Sequence, residues 1–363
     1  VKGHVGRKNM TTINRNDLIE ALLKVKPGIA NKEFLEQSSH FILNEEEIIS
    51  YNDEVSISCP FTTKMKCTVD AGLFFKLIDK MEGDDLNLKL EDKKLKIECG
   101  SVKAELIIVE NSNIFPYTEK LIDEQNELEW EKVPSDFIHA IKMCLFSASS
   151  DKTLGTLTCI WFEDDSIFST DRYRMSWYKL NGNLNKKFYI EAEFLKGLLN
   201  VESDILEFAL GKSWCHFSMT DDTIYSVRLI VPESTLSIKE KFEQFQPALE
   251  TALSDDFLKA VETVSLISQN VEEQSQYVEI EFSKDNILVY SESEKGTIQK
   301  TVKSIFNTKT PFSISVSPTY LCQALSNIGS GTVALNINSD KGIMVLTSEY
   351  EINFKHMLAL KVS

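Results

Sequence analysis

The chain has 363 residues, 39 Lys and Arg against 55 Asp and Glu, a formal charge of −16 and 42% hydrophobic residues. That hydrophobic fraction supports ordinary cores and excludes a disordered chain, and no run of 18 apolar residues exists that would span a membrane. The acidic balance argues against a domain that holds nucleic acid by phosphate contacts alone, unless lysines are segregated from an acidic exterior.

Val1–Asn9 read as an expression remnant ahead of Met10 and are set aside. The first element is an amphipathic helix beginning Asp17-Leu18-Ile19-Glu20-Ala21-Leu22. Its pattern returns 119 residues later at Asp136-Phe137-Ile138-His139-Ala140-Ile141 and again after 120 at Asp256-Phe257-Leu258-Lys259-Ala260-Val261. Asn16, Ser135 and Asp255 precede these as expected N-caps, and an Asp in the first turn suits the helix dipole. A strand, polar turn and second strand follow: Phe41-Ile42-Leu43 with Ile48-Ile49, then Ile160-Trp161-Phe162 with Ile167-Phe168, then Ile280-Glu281-Phe282 with Ile287-Leu288. A second helix is expected from Asp70, from Glu191 and from Ser317-Pro318, with apolar residues at helical spacing. Each copy closes on alternating strands, such as Leu86, Leu88 and Leu90 turning into Leu95 and Ile97, which implies one buried sheet face.

The expected fold is therefore α+β: three similar domains, each with two helices packed on an antiparallel sheet. The expected limits are 10–128, 129–247 and 248–363, with Asp123–Glu129 and Lys239–Phe245 as polar connectors. The seven cysteines are scattered and form no C-x-x-C, which argues against disulfides or a thiolate zinc site and for a reducing, cytoplasmic compartment. No phosphate-binding glycine loop, metalloprotease helix or nucleophile elbow occurs. The five histidines lie far apart, and the pairs Asp84-Asp85, Asp164-Asp165 and Asp221-Asp222 fall in turns, where Asp bonds its own backbone. No enzyme, metal or cofactor is expected; a hydrolase using one Asp pair is the weakest alternative.

Threefold repetition of this unit from Met10 onward resembles the bacterial DNA polymerase III beta subunit, the sliding clamp. Three stretches carry the resemblance. Ile167-Phe168-Ser169-Thr170-Asp171-Arg172-Tyr173-Arg174-Met175 looks like the family's strand ending T-D-G-H-R-L. Val264-Ser265-Leu266-Ile267-Ser268 follows a helix in the third copy. His356-Met357-Leu358-Ala359-Leu360-Lys361-Val362 is similar to the terminal M-P-M-R-L. Arg172-Tyr173 stand where the family has Gly-His, Ala359 where it has Pro, and Ser363 lies one past the usual end. Such drift suits a divergent clamp, for instance a phage-encoded one.

The resemblance implies a non-catalytic homodimeric ring around double-stranded DNA, without sequence specificity, that tethers the replicative polymerase. Arg15, Lys24, Lys76, Lys80, Lys142, Lys196 and Lys259 are expected to face DNA, weakly enough to allow sliding. Leu73, Leu266 and Ile267 are expected at the subunit interface. A cleft for short peptides from polymerase, clamp loader and other partners is expected at Leu154, Thr170, Arg172, Tyr173, Arg174, Met175, Pro232, Leu236, Ile343, Leu358 and Leu360. The alternative is a structural or adaptor protein built from duplicated α+β domains, which need not repeat three times.

Overall fold

The computed structural model describes residues 10–110, 112–201, 203–232, 237–268, 276–303, 311–329, 333–338 and 341–361. One order of elements occurs three times. The first copy is β1 (Met10–Asn14), α1 (Arg15–Val25), β2 (His40–Asn44), β3 (Glu47–Tyr51), β4 (Val55–Pro60), β5 (Lys66–Asp70), α2 (Ala71–Lys80), β6 (Asp85–Glu91), β7 (Lys94–Cys99) and β8 (Val102–Val109). Helix α3 (Phe115–Glu127) leads to β9 (Glu131–Lys132), α4 (Phe137–Leu145), β10 (Cys159–Glu163), β11 (Ser166–Thr170), β12 (Arg174–Lys179), β13 (Lys187–Glu191), α5 (Ala192–Leu199), β14 (Ile205–Leu210), β15 (Trp214–Met219) and β16 (Ile224–Arg228). Helix α6 (Ile238–Glu243) leads to β17 (Leu249–Leu253), α7 (Asp255–Ser265), β18 (Val278–Phe282), β19 (Asn286–Ser293), β20 (Gly296–Lys303), β21 (Phe312–Val316), α8 (Pro318–Ile328), β22 (Val333–Asn338), β23 (Ile343–Ser348) and β24 (Phe354–Ala359).

The chain divides into two compact units, which cut across this periodicity. Unit 1 is Val1–Val133 with Glu193–Ile230, and unit 2 is Pro134–Ala192 with Val231–Ser363. Unit 1 holds a 12-stranded sheet in the order β1-β6-β7-β8-β5-β2-β3-β4-β16-β15-β14-β9. Unit 2 holds an 8-stranded sheet, β13-β10-β11-β12-β24-β23-β22-β17, and a 4-stranded one, β20-β19-β18-β21. The third strand of a copy's four-strand set thus pairs with the last strand of the next copy. β4 meets β16 with Val55 opposite Val227, and β12 meets β24 with Arg174 opposite Leu358.

The helices form for local reasons. In α1, Leu18, Ala21, Leu22 and Val25 recur on one face and are buried, while Asp17 sits in the first turn. The caps differ from expectation. Asn14, not Asn16, caps α1, accepting from the Asn16 and Asp17 amides at 2.9 and 3.2 Å. Asp136 and Ser254 take the N-cap positions of α4 and α7, in place of Ser135 and Asp255. Neighbouring Asn, Ser and Asp are all competent caps, so the place where each preceding segment ends decides among them. Both connectors are also partly helical. α3 buries Phe115, Thr118 and Leu121, and α6 buries Ile238 and Phe242, so each has an apolar side to fold against. In the closing strands Leu86, Leu88, Leu95 and Ile97 are wholly buried, as the alternation requires. All seven cysteines are free thiols, six of them buried.

Candidate functional site

Most of the expected cleft residues belong to unit 2, around the corner between β11 and β12. Asp171 builds that corner. Its Oδ1 accepts from the amides of Tyr173 and Arg174, both at 3.0 Å, and its Oδ2 accepts from Arg174 Nε at 2.8 Å. Thr170 Oγ1 donates to the Arg174 carbonyl at 2.7 Å. The Arg174 guanidinium also donates to Gln323 on α8, and lies 4.2 Å from the Tyr320 ring centre and 5.5 Å from that of Phe146. Thr170 and Arg174 are therefore buried, and these bonds are made inside the fold, Thr170 to the Arg174 carbonyl and Arg174 to Asp171 and Gln323.

The terminal strand is stitched to this corner. Ala359 N–H donates to the Tyr173 carbonyl, Leu360 N–H to Gly342 and Lys361 N–H to Ser315, at 2.8, 2.8 and 2.9 Å. Met175 on β12 and Ile343 on β23 lie either side of β24, Tyr173 just precedes β12 and Leu360 just follows β24, and each of the four is at least partly exposed. Leu358 is 1% exposed and belongs to the core. Leu154 is half-buried in the 3-10 segment Lys152–Thr158, and Pro232 is half-buried at the start of the connector. Leu236 lies outside the described residues. Sequence reasoning missed Asp171, Gln323, Tyr320 and Phe146 as parts of this corner. The Asp-x-x-Arg spacing was the one available signal.

The expected DNA-facing cations differ in how free they are. Arg15 closes the end of α2, donating to the carbonyls of Gly83, Ile78 and Asp79 at 3.1, 3.2 and 3.4 Å. Lys24 pairs with Asp221 at 2.6 Å. That bond raises the Lys24 ammonium above its ordinary range; partial burial opposes ionisation of Asp221, yet bonds from Lys24, Ser203 and Thr223 hold its carboxyl at about 2. Lys196 pairs with Glu193 at 2.7 Å, both exposed. Lys76, Lys80, Lys142 and Lys259 are exposed and have no ion-pair partner among the described residues.

Of the expected interface residues, Leu73 on α2 and Leu266 after α7 are each 56% exposed, and Ile267 is half-buried. Sequence reasoning passed over Ile107 on β8, which is 82% exposed. Two buried imidazoles also stand out. His356 Nδ1 contacts Ser176 Oγ at 2.9 Å and His216 Nδ1 contacts Ser226 Oγ at 2.8 Å. Burial, aided for His356 by the Arg174 charge, pushes these rings down to about 3 and about 4. Among the described residues no group of three or more His, Cys, Asp or Glu is placed to hold a metal ion, and no helix is long and apolar enough to cross a membrane.

The DNA polymerase sliding clamp of Bacillus subtilis superposes with a TM-score of 0.84 at 14% identity, covering 98% of this chain and 100% of that one. The polymerase beta subunit of Streptococcus pyogenes gives 0.82 at 18%, and the DNA polymerase III beta subunit of Pseudomonas aeruginosa 0.83 at 13%, each with 98% and 100% coverage. This is a DNA-clamp fold over nearly its whole length. Residues 245–361 match the family described as DNA polymerase III beta subunit, C-terminal domain. The chain shares the fold of the bacterial beta sliding clamps, and its last third matches that family's C-terminal domain. No curated protein matches the sequence.

Proposed function

We propose that the chain is a DNA sliding clamp: two copies close head to tail around duplex DNA and tether the replicative polymerase in the cytoplasm, without catalysis of their own. In this reading each copy contributes three domains, 10–128, 129–247 and 248–363. The observation that carries it is the rule by which one copy of the repeat joins the next. β4 pairs with β16 and β12 with β24, so the same rule calls for β20 of the third copy to pair with β8 of a first copy in another chain. In the chain alone β20 has β19 as its strand partner, an edge that pairing would cover.

The register of that junction follows from the other two. Ser56 faces Ser226 and Met175 faces Met357; the matching hairpin positions are Gln299 and Glu105. Leu106 then stands opposite Ile298 of the next copy, and Ala104 opposite Lys300. Parity supports this, since Leu106, Ile298 and Lys300 are the less exposed members of alternating strands, while Glu105 and Gln299 face outward. A contact of the flanking helices carries over in the same way. After α1, Pro27 touches α5 so closely that a methyl on Gly197 would stand 3.0 Å from its Cβ. The equivalent segment after α7 is Leu266-Ile267, and the equivalent of α5 is α2 with Leu73.

Lys76, Lys80, Lys142 and Lys259 suit weak, sequence-independent contacts with phosphates, with Lys196 beside them. The surface of Tyr173, Met175, Ile343 and Leu360 suits the apolar anchors of short peptides from polymerase and loader, and Met175 adapts to several partners. The reading is tested by sedimentation: it expects a discrete dimer, whereas a monomer at micromolar concentration or an open-ended series of oligomers would overturn it.

A further inference from the structure

One residue of the β11–β12 corner holds a backbone conformation that its side chain disfavours. Arg172 has φ +83°, where glycine is at ease and a Cβ is crowded, and it is exposed. The corner does not need its side chain. Thr170 and Asp171 make the turn bonds, and from Arg172 they use the backbone amide, which donates to Thr170 Oγ1 at 3.3 Å. Arg174, two residues on, is buried and bonds Asp171 and Gln323. Among the described residues the Arg172 guanidinium has neither a hydrogen-bond nor an ion-pair partner.

Neither nearby carboxylate bonds the Arg172 guanidinium. Asp171 holds Arg174, and Asp151 accepts from the Thr153 hydroxyl and amide at 2.7 and 2.9 Å. The Asp151 carboxyl is held below its ordinary range, first by Thr153 and to a lesser degree by the Arg172 charge. An unpaired cation thus adjoins Tyr173, which is 45% exposed and whose carbonyl is bonded to Ala359 of the terminal strand, and it stands three residues before the part-exposed Met175.

We infer that Arg172 determines specificity at this surface, selecting an extended peptide that carries a carboxylate beside its apolar anchors. Apolar burial alone gives little direction, whereas a guanidinium can take a carboxylate in a two-pronged, charge-assisted bond that fixes the register of the peptide. The strained backbone is then the cost of placing that charge where the fold would accept glycine. The inference rests on the peptide-docking reading, and its test separates the two.

The probe is a set of fluorescein-labelled, C-terminally amidated hexapeptides, with Leu at two fixed positions and one Asp walked through the other four, beside their Asn counterparts. These are titrated by anisotropy at low salt against the full-length wild type, Arg172→Gly, Arg172→Lys and the double variant Met175→Ala, Leu360→Ala. Glycine relieves the strained φ, so Arg172→Gly is expected to keep its near-ultraviolet circular dichroism. At one Asp position or more, wild type should prefer Asp over Asn by about ten-fold. That ratio should fall below about two-fold in Arg172→Gly, survive in part in Arg172→Lys, and shrink with salt. Equal affinity for Asp and Asn peptides at every position, or an unchanged ratio in Arg172→Gly, overturns the inference and leaves the docking surface standing. Failure of every peptide to bind wild type, or unchanged binding in the double variant, overturns the docking surface and this inference with it.

Discussion

Replacing Leu266 by Ala removes apolar surface that is already more than half exposed in the single chain. Little intramolecular packing is lost, and the cost to the fold of one chain should stay within about 0.5 kcal/mol. The cost to assembly is larger. Burying a whole Leu side chain is worth roughly 1.5–3 kcal/mol, and 56% of Leu266 is left to be covered by a neighbour, so truncation forfeits about 1 kcal/mol at one interface. A head-to-tail dimer contains that interface twice, so dissociation becomes easier by about 2 kcal/mol, roughly a 30-fold rise in the dimer Kd. Leu266→Asp should do more, because a carboxylate would be buried without a partner. Sedimentation velocity over a dilution series of wild type and both variants reads the shift, with circular dichroism as the check on folding. Identical dissociation midpoints for all three proteins would refute the placement of Leu266 at a subunit interface.

Reversing Lys76, Lys80 and Lys142 together to Glu should shorten retention on circular DNA equally for every sequence and flatten its salt dependence; unchanged retention at low salt would make them ordinary surface lysines. Asp171→Ala leaves the buried Arg174 charge uncompensated and should cost about 3 kcal/mol by urea unfolding, with unit 2 loosening first. The rings of His356 and His216 are held neutral at about 3 and about 4, below the ordinary 6.5, so the unfolded chain binds protons that the folded chain refuses. Their contribution is complete above pH 6.5 and drains away as pH falls, at about 1.4 kcal/mol per unit for each ring, until pH nears 4 for His216 and 3 for His356. Urea midpoints at pH 5 should therefore lie below those at pH 7.5, and His356→Gln should flatten the dependence of unit 2; a rise in stability toward pH 5 would contradict this.

The order of elements was legible because each is written in a local pattern. Leu18, Ala21, Leu22 and Val25 spell a helix face, and Leu86, Leu88, Leu95 and Ile97 spell a half-buried hairpin. Repetition then multiplied the signal. Cap positions were less legible, since Asn14 and Asn16 are equally suited and the end of β1 chooses between them. What lay beyond reading was long-range. Nothing near Arg174 announces Gln323, 149 residues away, and nothing near Arg15 announces the end of α2 that it closes. The free or committed state of each lysine has the same character: Lys24 and Lys76 look alike in sequence, yet Lys24 is tied to Asp221 by a contact spanning 197 residues. The exposed Ile107 was missed because alternation in β8 marks it as one more apolar residue of a strand.

Ring closure around DNA is the central claim, and the register between β8 and β20 makes it testable. Glu105→Cys and Gln299→Cys, both outward-facing, would stand opposite each other at the two subunit junctions, and the native thiols are buried apart from the half-buried Cys322. The double variant is diluted until dimers dissociate, mixed with nicked circular or linear plasmid, concentrated and oxidised, then denatured in detergent. A covalent ring should stay threaded on the circular plasmid alone, and be released by cutting the DNA or by reducing the disulfides. Cross-linked dimer that never remains with circular DNA, or a ladder of open-ended oligomers in place of a dimer, would contradict the account.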